Sequence, residues 1–386
     1  MPNSPNPGRQ LAAALALVIT TGAAFAPVAP IISPAAHIGQ QAFSDRKLSA
    51  SGRQSCASCH DPNAAFAPAN AFAVQSGGRH DERFGIRAVP SIAYARFTPK
   101  FRLDAKGEPV GGLNLDGRAD TLQEQARGPL LNPLEMANTS KAELVKRLRK
   151  TAYASEFKNV FGKNIFKNPA QAFDALTASL AAFQRESKLF APFNSKYDAY
   201  LAGGAKLNPQ EARGLALFED PQRGNCAACH PSANGAHGEP PLFTDFSYDA
   251  VGVPRNRAIP AMRDGRKFDL GLCGPERRDL ESRKNLCGAF KTPTVRNVAL
   301  RKVFFHNGRF NSLEQVLDFY VRRDTNRDAW YKGRAFDDQP KEYIGAINLE
   351  EAPYKPLPNG APRLTASEKA DIVAFLKTLT DDPRPR

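Results

Sequence analysis

Two pentapeptides of one form, Cys56-Ala-Ser-Cys59-His60 and Cys226-Ala-Ala-Cys229-His230, constrain this chain more than any other feature. Two residues between the thiols bring both sulfurs to one edge of a planar ligand, and a His directly after the second Cys turns beneath it. That is the arrangement that attaches a c-type haem: the thiols add across two vinyl groups, and the imidazole binds the iron. A zinc site or a thioredoxin-like redox pair also uses Cys-x-x-Cys, but neither needs the following His. The reading is two covalently bound c-type haems, attached at Cys56, Cys59, Cys226 and Cys229, with His60 and His230 on the irons. A zinc-binding structural protein is the distant alternative.

Length and charge bound the rest. A chain of 386 residues is long enough for two domains. Arg9 is the only charged side chain among the first 26 residues, and an apolar run follows from Leu11. This predicts an export signal and a periplasmic protein, the compartment where c-type haems are attached. Ala24-Phe25-Ala26 has the form of a cleavage site, whereas Pro27 disfavours a cut there, so an uncleaved anchor is the alternative. No other stretch is long and apolar enough for a bilayer. The net charge of +14 is dispersed along the chain, which argues against nucleic acid. Haem propionates and an acidic partner protein are the anions it would meet. Four of the six cysteines belong to the haem motifs. The other two, Cys273 and Cys287, are expected to pair in an oxidising compartment, contributing about 3 kcal/mol in the chain-entropy model.

Gly39-Gln-Gln-Ala-Phe43-Ser-Asp45 precedes the first haem motif, and Gly214-Leu-Ala-Leu-Phe218-Glu-Asp220 precedes the second. Gly, Phe and Asp recur at the same offsets, which predicts an internal repeat. The expected organisation is a signal and lead over 1–36, an N-terminal haem domain over 37–203 and a C-terminal haem domain over 204–386, joined at Gly203-Gly204. Helix starts are marked at Ser140-x-x-Glu143, Asn168-Pro169, Asn208-Pro209-x-Glu211, Ser312-x-x-Gln315 and Thr365-x-x-Glu368. Alternating strand patterns are missing. The fold class is mainly α, with two cytochrome c-like haem domains.

The sixth iron ligand decides between an electron carrier and a peroxide-reactive haem. Past the signal there are only two methionines, Met136 and Met262, and the remaining histidines are His37, His80, His237 and His306. A His/Met pair on both irons is barely available.

The order of motifs resembles the bacterial di-haem cytochrome c peroxidase family, especially its MauG-like branch, over nearly all of 37–381. The markers are Cys56 to Pro62, Asp116-Gly117-Arg118, Leu122-x-x-Gln125, Asn132-Pro133-x-Glu135-Met136, Val251-Gly252-Val253-Pro254, Lys291-Thr-Pro293-Thr294-Val-Arg296-Asn297 and Phe305-His306-Asn307-Gly308. The resemblance implies that peroxide reacts at the N-terminal haem. Glu135 would be the acid–base group there, and Gln125 would orient peroxide or its water. It implies an axial ligand for the second iron on a helix after Phe-His-x-Gly; fourteen residues past His306 lies Tyr320, where peroxidases place Met and MauG places Tyr. A phenolate there suits storage of a second oxidising equivalent at that iron. His306 is a rival ligand that in the family lies near the haem without binding iron. His80 falls near a removable sixth ligand of other members.

Two positions depart from the pattern. Leu115 stands where a Trp usually lies between the haems, and Tyr94 stands where an Asn helps hold a calcium between the domains. Calcium binds oxygen ligands and carbonyls can supply them, so a calcium remains possible and doubtful. The expected function is reduction of hydrogen peroxide, with electrons from a small redox protein or from a residue of a partner protein. A di-haem electron carrier without peroxide chemistry is the competing class.

Overall fold

The computed structural model describes residues 32–235 and 238–382. The expected signal and most of the lead, with His237, lie outside them. Ten helices carry the described chain: α1 Pro34–Ser44, α2 Cys56–Cys59, α3 Leu122–Leu131, α4 Lys141–Leu148, α5 Ala154–Phe161, α6 Pro169–Glu186, α7 Lys196–Leu201, α8 Pro209–Glu219, α9 Leu313–Arg322 and α10 Ala366–Lys377. Strand is limited to three antiparallel pairs of two residues: β1 Ser76–Gly77 with β2 Arg83–Phe84, β3 Arg102–Leu103 with β4 Pro109–Val110, and β5 Tyr248–Asp249 with β6 Phe290–Lys291. Among the described residues no helix is long and apolar enough to cross a membrane.

The starts of the helices follow from side chains that accept the free N–H groups of a first turn. Asn168 caps α6 ahead of Pro169, and Asn208 and Glu211 form a reciprocal box at α8. Thr365 and Glu368 do the same at α10. Ser140 caps α4 through the Glu143 N–H, but the Glu143 carboxylate turns to Thr139 instead of closing the box. α6 runs to Glu186, and Phe183 and Gln184 are still buried in its last turn.

Two large buried clusters divide at about residue 195. One gathers α1, α3, α4 and α6 around Phe43, Leu144, Phe157, Phe173 and Phe190. The other gathers α8, α9 and α10 around Phe218, Phe243, Phe319 and Phe375. In each, a helix preceding a Cys-x-x-Cys-His segment crosses a later helix at a glycine. A Cβ on Gly39 would lie 2.0 Å from the Ser179 carbonyl oxygen and 2.9 Å from Phe183 Cβ. A Cβ on Gly214 would lie 2.0 Å from the Asp371 carbonyl oxygen and 2.9 Å from Phe375 Cβ. Only a residue without a side chain lets these backbones touch.

Polar ties join the two halves. Arg87 reaches Asp116 at 2.7 Å and grips both oxygens of Asp269 at 2.6 and 2.7 Å. Both carboxylates are buried, so neither is left without a counter-charge. Within the C-terminal half, Arg296 forms a two-point pair with Asp198 and donates to the Pro241 carbonyl. Cys273 and Cys287 are bonded, as the sequence suggests, and close a loop that rests on the N-terminal half. From this loop Arg277 donates to the Asp116 and Gly117 carbonyls, and Arg283 to that of Gly107.

Replacing Gly214 with Ala is expected to lower stability by about 1–3 kcal/mol, the range for overpacking a tight contact, read as a lower thermal midpoint. Gly345→Ala, where nothing lies within 4 Å, should leave the midpoint unchanged.

Candidate active site

A single cavity of about 770 Å³ lies between the halves, and all nine sequence-derived site residues line it: Cys56, Cys59, His60, Gln125, Glu135, Cys226, Cys229, His230 and Tyr320. Cys56 and Cys59 sit one helical turn apart in α2, so their sulfurs share a face. Cys226 and Cys229 occupy a 3₁₀ turn that holds them the same way. In both places the His N–H closes back on the first Cys carbonyl, at 2.9 Å for His60 and 2.8 Å for His230. Burial pushes the four thiols up to about 12, 11, 12 and 12 in chain order.

The two imidazoles are oriented alike. His60 Nδ1 lies 3.0 Å from the Phe66 carbonyl oxygen, and His230 Nδ1 lies 2.9 Å from that of Phe243. A carbonyl only accepts, so Nδ1 carries the proton and Nε2 keeps its lone pair for a metal. Burial lowers His60 to about 4, with the Arg301 charge adding to the effect, and it also lowers His230. Both rings are neutral near pH 7, as an iron ligand must be.

On the N-terminal side, Gln125 comes from α3 and Glu135 from the turn that follows it. Asn132 caps the end of α3 and its Nδ2 donates to Glu135 Oε1 at 2.7 Å. The β1–β2 hairpin presses on this turn, and the Gly78 N–H donates to the Glu135 carbonyl. Glu135 is exposed and faces the cavity, yet the surrounding protein withdraws enough water to push its carboxyl above the usual range. The Asn132 hydrogen bond and Arg118 act against that rise, and Glu276 adds to it. Met136 also lines this side. His80 is exposed in the hairpin and does not line the cavity.

On the C-terminal side Tyr320 projects from α9, and burial raises its phenol. A phenolate there needs a cation beside it, which a haem iron supplies. Tyr354 stacks on Tyr320 with ring centroids 5.4 Å apart, and its hydroxyl lies 3.5 Å from Asp249 Oδ2. Met262 packs with Val74 and Ile259 away from the cavity, so it is not a ligand for either iron. His306 lines the cavity with its ring stacked flat on Phe290 at 3.8 Å. His37 pairs with Glu156 on the surface. Leu115 lines the cavity, whereas Trp330 packs edge-on against Phe310 and Phe319 and is not part of the lining.

The donor set suits two haems. The lining is mainly apolar and supplies two Cys-x-x-Cys-His units. Lys291 and Arg301 also line it, both half-buried and, among the described residues, neither in an ion pair; desolvation lowers them to about 8 and about 10. Haem propionates are anions of the kind such cations take.

Residues 33–206 match the family model described as di-haem cytochrome c peroxidase. The methylamine utilization protein MauG of Paracoccus denitrificans is 35% identical, over 96% of this chain and 94% of its own. The chain belongs to the di-haem cytochrome c peroxidase family. The cytochrome c551 peroxidase of Nitrosomonas europaea is 30% identical over 92% of this chain and 82% of its own. The crystal structure of the diheme peroxidase BthA from Burkholderia thailandensis matches at a TM-score of 0.84 with 42% identity, covering 92% of this chain and 88% of that one. The protein is accordingly a haem oxidoreductase with a mainly helical fold.

Membership raises the matter of the calcium. Tyr94 does not fit an ion: its hydroxyl donates to Asp381 Oδ2 at 2.7 Å and accepts from the Phe193 N–H at 3.1 Å. Asn297 Nδ2 donates to the same carboxylate at 2.6 Å, and Arg296 lies over the Tyr94 ring. Among the described residues no group of three or more His, Cys, Asp or Glu is placed to hold a metal ion. A direct tie between the halves stands at Tyr94.

Reading the sequence alone misses Asn132, Arg118, Glu276, Lys291 and Arg301 as parts of the site, although the quoted motifs contain Asn132, Arg118 and Lys291. Tyr94→Phe should cost about 1–3 kcal/mol, because it removes a donor from a buried carboxylate. A chelator should leave the wild-type thermal midpoint unchanged; both are read by thermal denaturation of the holoprotein.

Proposed function

We propose that this chain reduces hydrogen peroxide at a haem held by Cys56, Cys59 and His60, with a second haem held by Cys226, Cys229, His230 and Tyr320 relaying electrons. The observation that carries the reading is one cavity lined by both attachment motifs, with Gln125 and Glu135 on one side and Tyr320 on the other. When bound, the haems would supply redox-active iron; His60 would hold one of them, and His230 with Tyr320 the other. The overall reaction balances as hydrogen peroxide plus two protons and two electrons giving two waters.

The protein's own part is proton movement. Glu135, ionised, accepts the proton of the peroxide oxygen that turns toward the cavity floor. It returns that proton to the other oxygen as the O–O bond breaks, so the leaving oxygen departs as water. Asn132 fixes the carboxyl for this exchange, since its amide occupies Oε1 and leaves Oε2 for peroxide. Gln125 supplies an amide for orienting peroxide.

Attachment is covalent in this reading. The repeated devices favour two related haem domains, near 37–203 and 204–386: the glycine crossings at Gly39 and Gly214, and the carbonyl-tied His60 and His230. Electrons come from a small redox protein or from a residue of a partner protein, and the +14 charge would steer an acidic one. A periplasmic location follows from the export signal and from c-type attachment. Leu115 in place of the Trp usual in the family argues against fast charge sharing between the haems through that position. Tyr94 makes calcium unnecessary for joining the halves.

The test is stopped-flow mixing of the fully ferric holoprotein with one equivalent of peroxide. A prompt Soret change is expected, slowed about 10²–10⁴-fold in Glu135→Gln, the usual weight of acid–base catalysis. No Soret change in ferric or half-reduced protein would leave an electron carrier instead.

A further inference from the structure

Residues 351–354 cross the C-terminal side of the cavity, and each of them lines it. Two ties hold this segment. Asn225, the residue before Cys226, donates from Nδ2 to the Ala352 carbonyl at 3.1 Å. Asn348 donates from Nδ2 to Glu351 Oε2 at 2.9 Å and to Asp249 Oδ2 at 3.3 Å. The segment is thus anchored both to the second haem-attachment turn and to β5.

Tyr354 ends the segment and is 5% exposed. It packs against two residues at the end of α9. Tyr320 lies in the last turn and Arg323 caps it, three positions on, so both lie on one side of the helix. The Tyr354 and Tyr320 rings stack with centroids 5.4 Å apart and planes 29° apart. The Arg323 guanidinium lies 4.0 Å from the centre of the Tyr354 ring. Arg323 has no exposed side-chain surface; Asp324 and the Val251 and Asn348 carbonyls hold it. Phe305 also packs on Tyr320, with ring centroids 5.6 Å apart. Tyr320 is therefore bracketed by rings, one of which is itself fixed from two other places.

We propose that Tyr354, seated by Asn225, is a positioning residue for the second iron's axial ligand: its ring holds the Tyr320 phenol in place for the metal. This rests on the ligand role given to Tyr320 above. The reason is conformational. Tyr320 sits in the final turn of its helix, the part that frays. A phenol free to choose rotamers loses that freedom each time it binds iron. A phenol already held by a stacked ring loses it on folding, so its bond to iron is stronger by the difference. Core packing is the competing account of Tyr354. It predicts a change in stability and none in how firmly the iron keeps its ligand.

The experiment is a titration of the ferric holoprotein with cyanide at fixed pH. Cyanide is a small anion that competes for an axial position. The readout is electron paramagnetic resonance, followed as the low-spin signal of the phenolate-ligated haem gives way to that of its cyanide form. A stacked aromatic pair is strong enough to shift an equilibrium roughly 2–10-fold, and Tyr354→Leu should lower the cyanide midpoint by that factor. Tyr354→Phe keeps the ring and should keep the wild-type midpoint. Asn225 has a φ of 50°, which Gly adopts readily. Asn225→Gly thus removes the tie to Ala352 without backbone strain, and it should lower the midpoint by a smaller factor. An unchanged midpoint in Tyr354→Leu overturns the proposal, as does one in Asn225→Gly where Tyr354→Leu yields no holoprotein. A midpoint in Tyr354→Phe as low as in Tyr354→Leu also overturns it. Tyr320→Phe separates the two levels: if it titrates like the wild type, Tyr320 is not the ligand, and it is that reading which fails.

Discussion

A large apolar space lined by two halves of a chain is unfavourable until something fills it, and this protein is arranged around that constraint. The cavity walls give up dispersion contacts wherever no atom faces them. Lys291 and Arg301 line the walls as half-buried cations with, among the described residues, no carboxylate in ion-pair reach. His60 and His230 present unprotonated nitrogens to the interior. Each feature suits an anionic, iron-bearing macrocycle. On the proposed reading the haems would fill the space between the two hydrophobic clusters.

The two sides of the cavity use the same frame for different ends. Each holds its His through a backbone carbonyl and braces the preceding helix with a glycine crossing. Divergence enters at the opposite wall. The N-terminal wall is a polar turn, in which Asn132, Glu135 and Gln125 leave room for a small substrate. The C-terminal wall is aromatic, with Tyr320 stacked on Tyr354, whose hydroxyl lies near the half-buried Asp249. On the proposed reading one wall would handle protons and the other would hold an iron through Tyr320, a division that needs both halves. The polar ties at Arg87, Arg277 and Tyr94 keep them together, and the last stands at the position expected for a metal ion.

Much of this was legible in the chain. Haem attachment needs local spacing only, so the two pentapeptides disclose it. Helix caps are equally local, and Asn168, Asn208 and Thr365 act as their neighbours suggest. The pairing of Cys273 with Cys287 followed from their being left over. Tyr320 could be reached by counting along α9, and the structure puts it on the cavity. What stayed hidden depends on residues far apart in sequence: the carbonyls of Phe66 and Phe243, Tyr354 against Tyr320, and Glu276 against Arg118. No periodicity or motif encodes such pairs, because they arise from loops that tertiary packing positions. Where the box at Ser140 stays half open, a competing local acceptor at Thr139 took the Glu143 carboxylate.

The central claim is that one haem is open for peroxide and the other is closed by a tyrosinate. Electron paramagnetic resonance of the fully ferric holoprotein tests it most directly. The account predicts one high-spin and one low-spin ferric signal in equal amounts, with the low-spin signal abolished in Tyr320→Phe. Two low-spin signals that both survive Tyr320→Phe would contradict it and mark the protein as an electron carrier with both irons closed.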